Sequence, residues 1–174
     1  MSILFYRKSN HIKKNVIITN NDNYEVFFWQ PKKLWEIPNG LSNYPFLIWN
    51  FFYFFKIFKS KNYGVLIIRK NNEIIHHSTL TPSFFRFPDM RKNDVQIGNT
   101  FTSPKFRGKG LATIAIQNIL INLPLDYDLN VWYLVEDSNF SSVKVIEYFS
   151  FDCVGKGDKE KSIIPFLFDK YKIR

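Results

Sequence analysis

The sequence predicts a single mixed α/β domain, and three stretches carry that prediction. Residues 63–69 (YGVLIIR) and 73–80 (EIIHHSTL) are β-branched runs parted by Lys70, Asn71 and Asn72, the pattern of an antiparallel hairpin. Residues 94–102 read as a strand, residues 105–110 (KFRGKG) as a glycine-bearing turn, and residues 111–123 as a helix with apolar side chains at helical spacing. Residues 131–135, 140–149 and 151–155 then read as strand, helix and strand.

The boundaries of these elements follow from local chemistry. Pro104 cannot donate to a ladder and so stops the strand before it, while Pro124 ends the helix that begins at Leu111. Asp137 to Asn139 can cap the helix starting at Phe140. Residues 81–93 hold Pro82, Pro88 and several aromatics, which reads as a loop packed onto something. Residues 45–58 (PFLIWNFFYFFKIF) read as a buried or groove-lining helix. That run is too short to cross a bilayer and holds Asn50 and Lys56, although aromatics with flanking lysines leave an interfacial position open. In the N-terminal third, residues 16–19 and 25–29 are candidate strands, and residues 163–168 are expected to form the last one.

At 174 residues the chain has the length of one domain, spanning 1–174, and can bury roughly two thirds of its unfolded surface. The net charge of +9 favours an anionic partner, yet the basic residues are scattered and no nucleic-acid module is present, so no nucleic acid is expected. A lone cysteine, Cys153, excludes an intrachain disulfide and a multi-thiolate metal site; it is expected to be a buried apolar residue, and no metal is expected. The absence of a signal-peptide pattern and of disulfides fits a cytoplasmic protein.

The turn at residues 105–110 is where chemistry concentrates. Backbone N–H groups of a glycine-bearing turn that opens a helix converge on one point, and the helix dipole adds positive charge there. Lys105, Arg107 and Lys109 surround that point, and Gly108 and Gly110 remove the Cβ atoms that could block a ligand. An ordinary strand-to-helix turn has the same pattern, but the spacing fits no nucleotide-binding P-loop or dinucleotide fingerprint.

Two motifs give the turn a family context. The run Pro104, Lys105, Phe106, Arg107, Gly108, Lys109, Gly110, Leu111, Ala112 resembles the loop Gln/Arg-x-x-Gly-x-Gly/Ala of the GNAT N-acetyltransferase superfamily, with Lys105 as the departure. The run Asn139, Ser142, Glu147, Ser150, Phe151 is similar to that superfamily's Asn-x-x-Ser-x-x-x-x-Glu-x-x-Gly-Phe signature, with Ser150 in place of Gly. A looser resemblance links the chain to amino-sugar acyltransferases of bacterial surface-polysaccharide assembly.

The resemblance implies the GNAT fold: a mixed, mostly antiparallel sheet splayed between the strands 94–102 and 131–135, with helices on both faces. It implies acetyl-CoA (coenzyme A) in the gap, its pantetheine arm on the main chain of Phe101, Thr102 and Ser103, and its diphosphate on the loop from Lys105 to Ala112. Asn139, with Ser142 beside it, would hydrogen-bond near the pantetheine while also capping its helix. The reaction implied is acetyl transfer to a primary amine by direct attack, with an amino sugar or a nucleotide-linked amino sugar as the acceptor. A peptide or aminoglycoside acceptor, or a coenzyme A-binding module without turnover, stays open. So does a homodimer.

Direct attack asks for a base and allows an acid. The tyrosine that many family members place on the helix after the asparagine falls at Ile146 in this chain, and Tyr148 lies on another helix face. Tyr133, on a strand lining the gap, is the replacement candidate, and a core role is equally open. For the base, His76 and His77 alternate faces of one strand, so one of them points toward the cleft side. Asp94, Gln96 and Glu136 are candidates for holding the amine. The loop 84–90 and the helix 45–58 are expected to wall the acceptor with aromatic faces, with Arg86 nearby.

Overall fold

The structure, a computed structural model, describes residues 2–9, 24–41, 43–123, 128–160 and 169–174. In chain order the elements are β1 (Ile3–Ser9), β2 (Glu25–Trp29), α1 (Asn43–Phe54), β3 (Gly64–Lys70), β4 (Glu73–Pro82), β5 (Val95–Thr102), α2 (Leu111–Asn122), β6 (Asn130–Glu136), α3 (Phe140–Tyr148), β7 (Asp152–Glu160) and β8 (Lys170–Ile173). Among the described residues the strands form one eight-stranded sheet in the order β2-β3-β4-β5-β6-β1-β7-β8. Every neighbouring pair is antiparallel except β5 and β6. This is the expected mixed α/β sheet, mostly antiparallel.

The hairpin between β3 and β4 turns through Asn71 and Asn72, both at positive φ (50° and 63°). A two-residue turn of that hand matches strand twist, and Asn tolerates the left-handed region better than most residues. The candidate strands at 16–19 and 163–168 lie outside the described residues. The helix expected over 45–58 ends at Phe54, and Lys56 at φ 57° breaks its continuation.

Register assigns the faces of the sheet. Leu66, Ile68, Leu80, Val95, Ile97, Val131, Tyr133 and Val135 point to the face covered by α2, where Leu111, Ala115, Ile116 and Ile119 complete one core. Ile3, Phe5 and Trp132 point to the other face, where Trp49 and Phe52 of α1 meet Phe58, Phe84, Phe87 and Met90. Helices thus lie on both faces, and the aromatic loop after β4 packs into the second core as expected.

Cys153 corrects an expectation. It is exposed rather than buried, because β7 lies toward one side of the sheet and most of its residues stay accessible.

Ser150, where the motif has Gly, sits at φ 55° immediately past Phe149, the C-cap of α3. Its N–H reaches Glu147 O at 2.8 Å and the Phe151 N–H reaches Ile146 O at 3.4 Å, so the helix ends through a left-handed residue. A side chain in that region costs roughly 1–2 kcal/mol, against which glycine loses more backbone entropy on folding. Ser150→Gly is therefore expected to stabilise the protein by roughly 0.5–1 kcal/mol, raising Tm by about 2–3 °C in calorimetry. An unchanged or lower Tm contradicts the strain at this position.

Candidate active site

β5 and β6 run parallel for a short distance and then separate. Their register covers Val95 with Val131, Gln96 with Trp132 and Ile97 with Tyr133, and nothing beyond. β6 continues to Glu136 held by β1 on its other side, while β5 continues to Thr102 held by β4. The sheet opens into a wedge whose two inner walls are strand edges, the main chain from Gly98 to Thr102 on one side and from Leu134 to Glu136 on the other.

A bulge shapes the β5 wall. His77 pairs with Phe101 and Thr79 with Gly98, so Asn99 and Thr100 together oppose Ser78, and Asn99 adopts φ 44°. Bulges of this kind bend a strand and redirect its groups. Beneath this one runs a polar chain: Thr102 Oγ1 lies 2.8 Å from His76 Nδ1, His76 Nε2 lies 3.0 Å from Ser78 Oγ, and Ser78 Oγ lies 3.1 Å from Thr100 Oγ1. His76 is fully buried. The chain fastens both sides of the bulge to β4.

At the closed end of the wedge, buried Asp94 accepts from Trp132 Nε1 at 2.7 Å, from Asn130 N at 2.8 Å and from Arg91 N at 3.0 Å. A carboxylate gathering donors from the starts of both strands ties them together there.

On the α2 face, past Thr102, a 3-10 turn at Pro104–Phe106 leads to Arg107, whose Nε donates to Thr102 O at 3.3 Å. Gly108 and Gly110 follow at φ 74° and 73°, and an added Cβ on either meets nothing within 4 Å. The space beside both glycines is therefore open. Gly110 caps α2 with no side-chain acceptor, so the N–H groups of the first helical turn are left for a ligand. Lys105, Arg107 and Lys109 are exposed around it, and the chain carries no carboxylate between Asp94 and Asp126. An anion fits this loop.

On the opposite face the wedge opens into a cavity of about 890 Å³. Trp49, Phe84 and Phe87 form its apolar wall; Thr79, Thr81, Gln96 and Glu136 supply polar groups from the strands. Its far side is a belt in which Arg86 Nε donates to Asp169 O at 3.1 Å, Lys159 pairs with Asp169 at 2.8 Å, and Arg86 lies over the Tyr171 ring. The aromatic wall expected from the loop 84–90 and from α1 is present. Gly98, Asn99, Asp158, Lys159 and Tyr171 also line this space but had no distinguishing pattern in the sequence.

The sequence-derived candidates separate clearly. Glu136 reaches the cavity at the open end of the wedge, and Gln96 joins it nearer the closed end. His77 points to the same face but stacks on Phe101 and is absent from the cavity lining. His76, Asp94 and Tyr133 do not reach the cavity; Tyr133 lies on the α2 face beside the last paired rung, and among the described residues its hydroxyl has no hydrogen-bond partner. Asn139 caps α3, its side chain accepting from Ser142 N at 3.2 Å. Ser142 thus contributes its main chain.

Burial also sets the protonation of the histidines. Removal from water, with a smaller contribution from neighbouring His77, depresses His76 to about 4, and burial lowers His77 in the same direction. The unfolded chain, with His76 near 6.5, binds more protons than the folded one between these values. Stability is thus full above pH 6.5 and falls toward pH 4, by up to about 3 kcal/mol for His76. Urea unfolding at a series of pH values should show this slope, shallower in His76→Gln; equal slopes would remove the assignment.

The sequence profile of the acetyltransferase (GNAT) family matches residues 28–151. The chain belongs to the GNAT acetyltransferase family. Solved structures agree on the fold: a Drosophila protein at TM-score 0.58 and 9% identity, over 89% of this chain and 48% of its own. The ribosomal-protein-S18-alanine N-acetyltransferase of Escherichia coli matches at TM-score 0.50 and 11% identity, over 85% and 88%. A GNAT-family protein of Novosphingobium aromaticivorans matches at TM-score 0.51 and 11% identity, over 90% and 62%. The chain thus spans about half the length of the Drosophila protein. No curated protein sequence matches this GNAT chain.

Proposed function

We propose that this protein transfers an acetyl group from acetyl-CoA to the primary amine of a small acceptor. One observation carries the reading: the wedge joins an anion-accepting loop on one face of the sheet to a carboxylate-bearing cavity on the other. Acetyl-CoA supplies an acyl thioester, an electrophile that a neutral amine attacks directly. The loop from Lys105 through Phe106, Arg107, Gly108, Lys109, Gly110 and Leu111 to Ala112 holds the diphosphate through main-chain N–H groups and the basic side chains. The edge of β5 that faces the wedge at Phe101 and Thr102 aligns the pantetheine arm as an added strand, and Ser103, whose N–H goes to Ile75 O and whose carbonyl accepts from Phe106 N, fixes where that edge ends. Asn139 completes that wall.

Glu136 takes the proton of the acceptor's ammonium, directly or through water, and so releases the lone pair for attack. Tyr133 delivers a proton to the departing sulfur. His77 is the second candidate base, and His76 and Asp94 act by holding the bulge and the closed end of the wedge.

The cavity supports an amino sugar, free or nucleotide-linked, as acceptor: aromatic faces suit a sugar ring, threonine and glutamine side chains suit its hydroxyls, and Glu136 suits its ammonium. The test is acceptor-dependent release of free thiol from acetyl-CoA, screened over amino sugars, their nucleotide derivatives, aminoglycosides and peptide N-termini. Release with amino sugars alone supports the full reading. Release only with peptides or aminoglycosides moves the acceptor class, and coenzyme A binding without release for any amine leaves a binding module.

A further inference from the structure

We infer that the outer face of α1 docks on an anionic lipid bilayer. The inference is independent of the acetyl-transfer reading.

α1 has two apolar sides. Phe46, Trp49 and Phe52 bury themselves against the sheet and the aromatic loop, which accounts for one side. On the other, Phe51, Phe54 and Phe55 are 45%, 39% and 60% exposed. Phe51 and Phe55 stack with ring centroids 4.3 Å apart, so they form one apolar ridge rather than scattered single residues. Phe85, 36% exposed, extends the ridge through Phe52 at 5.9 Å. A soluble protein rarely leaves such a ridge in water, and its presence marks a surface that meets an apolar phase.

The charges around the ridge choose the phase. Lys56, Lys59 and Lys61 follow α1 directly and all are exposed, and no Asp or Glu occurs between Glu36 and Glu73. Phenylalanines at the level of acyl chains and lysines at the level of anionic headgroups are the two components of interfacial binding. A second copy of the chain would bring like charge against like charge with no carboxylate in this segment to pair them. None of the described helices is long and apolar enough to span, so contact is with the surface. Trp49 and Phe84, which line the cavity, pack against Phe52, so docking sets the cavity close to the membrane surface.

The experiment is co-sedimentation of the purified full chain with vesicles of phosphatidylcholine alone and of phosphatidylcholine mixed with phosphatidylglycerol. Binding to the mixed vesicles is expected to be tighter on the order of 100-fold at low salt, from three lysines near an anionic surface. The double variant F51S/F55S should bind about 10-fold more weakly. The variant K56Q/K59Q/K61Q should lose the preference for phosphatidylglycerol while keeping the residual binding. An unchanged circular dichroism spectrum shows that these surface variants fold. No binding of the wild-type chain to mixed vesicles overturns the inference. A vesicle-free dimer that F51S/F55S dissociates, or binding to an oligonucleotide in place of vesicles, overturns it equally.

Discussion

Glu136→Gln is expected to lower kcat/KM about 1000-fold, with little change in the affinity for coenzyme A or in Tm. The amide keeps the size and hydrogen-bonding reach of the side chain and removes only its capacity to take a proton. Stability should hold because Glu136 is exposed at the end of β6. The other carboxylate lining the cavity, Asp158, already pairs with Arg174, and Asp158→Asn should leave turnover within about 3-fold. Asp94 is committed to N–H donors at the closed end, and both ring nitrogens of His76 are held by hydroxyls. If Glu136 is the base, the residual rate of Glu136→Gln rises with pH as the acceptor amine loses its proton in solution. A kcat/KM within about 3-fold of wild type would transfer the role to His77.

Gly108→Val should weaken coenzyme A binding about 100-fold in calorimetry while leaving pantetheine, which lacks the diphosphate, almost unaffected. Two effects combine. A β-branched residue resists the left-handed backbone at φ 74°, so the loop shifts. Its methyls also enter open space beside the turn that the diphosphate needs for close approach to the N–H groups. Gly108→Ala should show a smaller loss, and Arg107→Glu should weaken coenzyme A by placing like charge beside phosphate. Equal losses for coenzyme A and pantetheine in Gly108→Val would mean that the loop does not grip the diphosphate.

The sequence was most informative where local chemistry and tertiary role coincide. Pro104, the glycines at 108 and 110 and the apolar spacing after Leu111 each act within a few residues, and strand, turn and helix fell where they pointed. Asn139 signalled a helix start and forms one. The cavity was less legible, because it gathers Trp49 from α1, Thr79 from β4, Glu136 from β6 and Tyr171 from β8, and no sequence window holds them together. The separation of His76 from His77 was half legible: alternation put them on opposite faces, but only the bulge and Thr102 show that His76 is enclosed. β1 was missed altogether. Its four apolar residues Ile3, Leu4, Phe5 and Tyr6 are good strand formers, but the charged second half hid the element, and its partners lie far along the chain.

That distance governs how the wedge comes into being. Ile3 pairs with Glu136 and Tyr6 with Tyr133 on one side, and Ile3 with Gly157 on the other. During synthesis at about 5–20 residues per second, β1 waits on the order of 10 s for its partners to emerge. The hairpin of β3 and β4, being local, can form early, whereas the half-sheet carrying Glu136 is completed only by long-range closure. The nascent chain therefore builds the β4–β5 wall before the wall that faces it.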